Sequence, residues 1–228
     1  MSTIADNLSA LAARIASAAQ AAGRAPASVQ LLAVSKTKPA SAIREIHAAG
    51  VRDVGENYLQ EALSKQEALR DLPLIWHFIG PIQSNKTKAI AEHFDWVHSV
   101  DRLKIAQRLS EQRPSGLEPL NICLQVNVSG EDSKSGCEPR DLPALAKAVA
   151  ALPNLRLRGL MAIPEPTDDR VAQEAAFASL RQLQESLGLG LDTLSMGMSH
   201  DLEAAIAQGA TWVRIGTALF GARDYGPV

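Results

Sequence analysis

Residues 29–58 read VQLLAVSKTKPASAIREIHAAGVRDVGENY, and this stretch decides the fold class. VQLLAVS (29–35) is a short apolar run of strand type. ASAIREIHAAG (40–50) carries apolar positions at helical spacing and ends on Gly50, and VRDVGE (51–56) is again a short strand-like run. Strand, helix and strand in immediate succession are the unit of a parallel sheet, because two strands running the same way need a crossover between them.

The alternation continues to the end of the chain. LIWHFIG (74–80), DWVHSV (95–100), NICLQVNVS (121–129), LRLRGLMAI (155–163), LDTLSMG (191–197) and TWVRIGT (211–217) bring the candidate strands to eight. Helix-period segments lie between them, among them YLQEALSKQEALR, RLKIAQRLSEQ, DLPALAKAVAAL, VAQEAAFASLRQLQESL and HDLEAAIAQG. Gly50, Gly188 and Gly209 follow three helices where a left-handed cap is wanted. Upstream, Ile4, Leu8, Leu11 and Ile15 form one apolar stripe, predicting an N-terminal helix over residues 1–22 that packs on the rest. Eight units predict an α/β fold closed into a single-domain (β/α)₈ TIM-type barrel spanning 1–228. The rival open doubly wound sheet lacks its expected G-x-G-x-x-G.

Composition excludes several function classes. The 23 basic and 25 acidic residues nearly cancel, which argues against bulk electrostatic binding of nucleic acid or anionic membrane. No apolar run approaches the roughly 18 residues of a membrane span. The N-terminus lacks the pattern of a signal peptide. Cys123 and Cys137 are too few for a disulfide framework, so a reducing compartment, the cytoplasm, is expected. No metal-ligand spacing and no P-loop motif occur, and no metal is expected. Ser199, His200 and Asp201 are adjacent on one turn, so their side chains diverge and cannot form a triad.

A barrel gathers its chemistry at the carboxyl ends of its strands. Lys36 follows the first strand; partial desolvation there would favour the free amine that forms Schiff bases, against the plainer reading of a solvated strand-end lysine. The loops SMGMSHD and RIGTALFG follow strands seven and eight, where barrels commonly bind phosphate. Ser199 and Thr217 offer hydroxyl donors there, and Gly197 and Gly216 allow close backbone approach. Ordinary turn chemistry is the alternative, with Ser199 capping the helix that starts near Asp201. Arg214 inside TWVRIGT needs either a carboxylate within the barrel or a ligand. His77 alternates with Trp76 and Phe78, which leaves its direction open. SGEDSKSG (129–136) is a polar loop placed where a lid could sit.

The segments LLAVSKTKPA, VGENYLQEA, WHFIGPIQSNK, FDWVHSVDR, QVNVSGEDSKSG, LRGLMAIP, LSMGMSHDLEAAI and VRIGTALFGARDY cover essentially the whole chain. In them the sequence closely resembles the pyridoxal phosphate homeostasis protein family. The resemblance implies the barrel of fold-type III pyridoxal phosphate (PLP) enzymes, related to the N-terminal domain of alanine racemase. It implies that Lys36 forms a Schiff base with PLP, that Ser199, Gly216 and Thr217 meet the phosphate, and that Arg214 stands beside the pyridine nitrogen. Asn57, His77 and Met161 are implied to line the cofactor. His200 stands where some relatives carry an acidic residue. The implied role is PLP buffering or delivery, with transient contact with PLP-requiring apoenzymes, no strong turnover and no assigned catalytic residue.

The rival is a low-activity PLP-dependent amino-acid racemase. Racemisation needs acid–base groups on both faces of the α-carbon. In alanine racemase one of these is a tyrosine of a C-terminal domain across a dimer interface. Neither Tyr58 nor Tyr225 shows a sign of replacing it here, so a monomeric carrier is the expectation.

Overall fold

The computed structural model of the protein describes residues 3–130 and 135–221. Its strands are β1 (Gln30–Val34), β2 (Asp53–Glu56), β3 (Ile75–Phe78), β4 (Trp96–Val100), β5 (Leu120–Gln125), β6 (Leu155–Met161), β7 (Thr193–Ser195) and β8 (Trp212–Ile215). They pair in chain order, all parallel, and β8 closes on β1. The closed barrel expected from the alternation is therefore the fold, with every predicted strand present.

The helices are α1 (Ile4–Ala21), α2 (Ala40–Ala48), α3 (Leu59–Ala68), α4 (Thr87–His93), α5 (Leu103–Gln112), α6 (Leu142–Ala150), α7 (Arg170–Ser186), α8 (Leu202–Ala207) and α9 (Thr217–Phe220). The short α4 and α9 are additions to the helices named from sequence. Gly50 and Gly209 take φ of +98° and +101° just past α2 and α8, the left-handed turn that a side chain would oppose.

Two cores follow from the pleat of the strands. One face points at the helices: Ala33, Val54, Phe78, Val97, Ile122, Leu160, Val213 and Ile215 belong to the large apolar cluster that also takes in the inner faces of the helices. The alternate residues turn into the barrel. Leu32, Val34 and Ile79 form one interior cluster, and Trp96, Cys123 and Met161 another. The interior also holds buried His77, His98, Ser195 and Arg214. Strands buried on both faces are expected of a parallel barrel.

Helix α1 begins with a capping box between Thr3 and Asp6, which satisfies two of its orphan N–H groups. It buries Leu11, Ile15 and Ala19 and packs against α8 and α9. Polar bonds fasten it there. Asn7 Nδ2 donates to the Leu219 carbonyl at 3.0 Å. Arg14 pairs with Glu203 and donates through Nη2 to the Ser199 carbonyl at 2.7 Å.

Candidate functional site

The segments after β1, β2, β3, β6, β7 and β8 close over one cavity of about 230 Å³ at the carboxyl end of the barrel. Its wall brings together Lys36, Asn57, Ser199, Arg214, Gly216 and Thr217, six of the residues singled out from sequence. The volume is below the roughly 300–1,000 Å³ of pockets that take drug-sized molecules, so it suits one compact ligand.

Lys36 is half-buried on the turn that leaves β1. That turn is fixed from behind by a buried ionic cluster. Lys65 on α3 donates from Nζ to the Ser35 carbonyl (2.7 Å), Glu56 Oε1 (2.7 Å) and Glu61 Oε1 (2.6 Å). The Ser35 hydroxyl donates to Glu56, and the Thr37 N–H donates to Glu61 Oε1 at 2.6 Å. Thr37 takes a left-handed φ of +64°, a costly conformation for a β-branched residue that these bonds hold in place. Burial pushes the Glu56 carboxyl above the ordinary range, opposed by its hydrogen bonds from Lys65 and Ser35. Removing one member of such a buried set leaves the others uncompensated, so Lys65 shapes the turn that carries Lys36.

Across the cavity, the Ser199 hydroxyl joins the two C-terminal loops. It accepts from the Ala218 N–H of α9 at 3.2 Å, while Asp201, not Ser199, occupies the N-cap of α8. The Ser199 hydrogen is thereby left to be donated elsewhere. The two glycines of these loops do different work. Gly197 has φ +97°, and a Cβ there would lie 2.5 Å from Ala205 Cβ, so it is required by the packing of α8. A Cβ on Gly216 would meet Val34 at ordinary distances, 3.4 Å from its O, 3.7 Å from its Cβ and 3.9 Å from its Cγ1. Gly197→Ala is therefore expected to destabilise the fold by about 2–4 kcal/mol. Gly216→Ala should stay within about 0.5 kcal/mol of the parent. Urea unfolding of the two variants checks this.

Arg214 is buried without a carboxylate partner among the described residues. Nη1 donates to Ser195 Oγ at 2.9 Å and Nη2 to the Ala162 carbonyl at 3.0 Å. Burial lowers its pKa to about 10, so it remains charged at neutral pH. Of the two partners foreseen for it, the carboxylate is missing and the cavity is present. Asn57 also points to a ligand: its Oδ1 is buried with no hydrogen-bond partner.

His77 and Met161 lie outside the cavity wall. His77 is fully buried below it, bonded to His98 and Asp53 at 2.9 Å each. Met161 is fully buried against Trp96 and Cys123. Ile79, Ile163, Met198 and His200 join the wall without having been chosen from sequence. Their strand-end positions were the available signal. The Cys123 and Cys137 thiols, pushed by burial up to about 12 and about 11, are unsuited to nucleophilic work at neutral pH. Among the described residues no cluster of three ligand-type side chains could hold a metal ion, and no helix is long and apolar enough to cross a membrane. Tyr225 and residues 131–134 of the loop proposed as a lid lie outside the described residues.

Comparison with known proteins shows the family and the fold. The family model for the alanine racemase N-terminal domain matches residues 7–224. The chain is 80% identical over 226 residues to the pyridoxal phosphate homeostasis protein of Pseudomonas aeruginosa, covering 99% of this chain and 98% of that one. It belongs to the pyridoxal phosphate homeostasis protein family. Another solved structure is PipY of Synechococcus elongatus, determined with PLP bound. It is 43% identical to this homeostasis-family chain, with a TM-score of 0.85, covering 96% of this chain and 100% of that one. Alanine racemase of Corynebacterium glutamicum is 20% identical with a TM-score of 0.68. That match covers 97% of this homeostasis-family chain and 63% of the racemase, and it shows a shared fold.

Proposed function

We propose that the protein binds pyridoxal 5′-phosphate through a Schiff base to Lys36 and serves PLP homeostasis by holding the cofactor and passing it to apoenzymes. The observation that carries this reading is the wall of the cavity, where a lysine amine, two loop hydroxyls and a buried guanidinium meet. These groups fit the cofactor part by part. The amine of Lys36 would hold the aldehyde carbon. The Ser199 and Thr217 hydroxyls, with the backbone at Gly216, suit a phosphate. Arg214 suits the ring nitrogen as acceptor. The unpartnered Asn57 amide oxygen is a further polar group for the ligand. PipY, solved with PLP bound, supports the cofactor's identity.

Two features favour holding over turnover. When bound, PLP supplies a ring that withdraws electrons from a substrate's α-carbon, best when its nitrogen is protonated. The charged Arg214 would keep that nitrogen unprotonated and weaken the withdrawal. Racemisation also needs a second proton carrier held facing Lys36; no tyrosine stands on the described wall, and its imidazole, His200, is 44% exposed to solvent rather than fixed in the site. The unpaired thiols Cys123 and Cys137 suit the cytoplasm.

The test incubates the PLP-loaded protein with several L-amino acids in deuterated water and follows α-proton exchange and chirality. Slow exchange, together with activation of an apoenzyme supplied in excess, is the expected result. Fast exchange with accumulating D-isomer, lost in Lys36→Ala, would replace the carrier by the racemase.

A further inference from the structure

We infer that Ser195 and His98, neither of which lines the cavity, are positioning residues that aim Arg214 at the ligand through a hydrogen-bond chain of one fixed direction crossing the barrel interior. The inference rests on the reading that Arg214 faces the cofactor ring. The chain runs from Arg214 Nη1 to Ser195 Oγ (2.9 Å), from Ser195 Oγ to His98 Nδ1 (2.7 Å), from His98 Nε2 to His77 Nδ1 (2.9 Å), and from His77 Nε2 to Asp53 Oδ1 (2.9 Å). Asp53 opens β2 at the end of the barrel opposite the cavity, and its side chain is 23% exposed.

The direction follows from donor and acceptor capacity. A guanidinium only donates, so Ser195 Oγ accepts from Arg214. The serine hydrogen then needs an acceptor, and His98 Nδ1 is the other side-chain group within reach. Were His98 to donate from Nδ1 instead, a buried hydroxyl hydrogen would be left without an acceptor, which folded proteins avoid. His98 therefore carries its proton on Nε2 and donates to His77 Nδ1. His77 in turn carries its proton on Nε2 and donates to the Asp53 carboxylate. Each bond has one donor and one acceptor, and both imidazoles are neutral. Their complete burial also favours the neutral forms.

The rings cannot easily turn over to reverse the order. His77 stacks on Trp96 with centroids 5.5 Å apart and 11° between planes, and meets Trp212 edge-on at 5.0 Å. With Nη1 committed to Ser195 and Nη2 to Ala162, the guanidinium plane is set, and its remaining N–H groups are the ones available to the cavity. Cutting the chain at His98 leaves the Ser195 hydroxyl with only Arg214, and the setting of that plane is lost.

Nitrogen-15 NMR of the histidine side chains in the cofactor-free protein tests the direction without relying on PLP. His77 and His98 are expected as neutral imidazoles with the proton on Nε2. An imidazolium at His77, or an Nδ1–H form of either ring, overturns the chain. The second measurement follows PLP affinity and the visible band of the bound cofactor. His98→Leu should weaken binding by about tenfold and shift the band, while borohydride still fixes the adduct on Lys36. His98→Asn, which keeps an acceptor near the Nδ1 position, should recover most of both. In an Arg214→Gln background, His98→Leu should add nothing; additive effects would overturn the claim that His98 acts through Arg214. If Arg214→Gln alone leaves the band and affinity unchanged, the placement of Arg214 at the ring has failed instead, and the NMR result still judges the chain.

Discussion

Lys36→Ala is expected to abolish the visible absorption of the PLP-loaded protein and to weaken PLP binding by about a hundredfold or more, roughly 2.7 kcal/mol. The expectation follows from the cavity wall, where Lys36 is the lysine on the described surface and stands opposite the loop hydroxyls. Borohydride reduction of the parent protein should fix a pyridoxyl group on the peptide containing Lys36. An adduct found mainly on Lys38 or Lys134 would refute the assignment. The turn that presents Lys36 is anchored to Glu56, Glu61 and Lys65. The loss in Lys36→Ala should therefore come without unfolding, and an unchanged urea midpoint checks that.

The second large effect concerns the phosphate. Charge-assisted hydrogen bonds contribute about 1.5–3 kcal/mol each. Two such bonds, from Ser199 and Thr217, would together make pyridoxal 5′-phosphate bind about 10²–10⁴ times more tightly than pyridoxal. Titration of the cofactor-free protein with both ligands measures the ratio. Equal affinities would show that these loops do not hold a phosphate. Ser199→Ala alone should cost about tenfold or less, because the Thr217 hydroxyl and the backbone donors remain. That variant also loses the bond from Ala218 N–H, so part of its cost belongs to the alignment of the two loops.

The barrel was legible because its determinants are local. Eight short apolar runs separated by helical segments admit few topologies, and Gly50, Gly188 and Gly209 mark helix ends by a backbone preference that needs no tertiary context. Lys36, Ser199, Gly216 and Thr217 were legible because a barrel brings strand ends together wherever they stand in the chain, whereas Arg214, inside a strand, was open between a carboxylate and a ligand until the family resemblance pointed to the ligand. What escaped sequence reading depends on facing. His77 sits between Trp76 and Phe78, and in a strand buried on both sides neither neighbour tells which way it turns. The structure turns it inward and down, away from the cavity. Lys65 in YLQEALSKQEALR has the sequence surroundings of a solvated helix face, yet it is buried behind Lys36. Ser195 has no motif around it, and its partner His98 is 97 residues away.

The bonds from α1 to the loops of the cavity have a consequence for how the protein is made. Arg14 reaches the Ser199 carbonyl across 185 residues of chain, and Asn7 reaches Leu219 across 212. A ribosome delivers α1 well before α8 and α9, the helices it packs against. Until those later residues are made, this amphipathic helix has no α8 or α9 to cover Leu11 and Ile15. Contacts of such separation close slowly, since the loop entropy is lost before the contact rewards it. The cavity at the carboxyl end of the barrel thus closes only after α8 and α9 have been made, and a chain stalled before them leaves the apolar stripe of α1 uncovered.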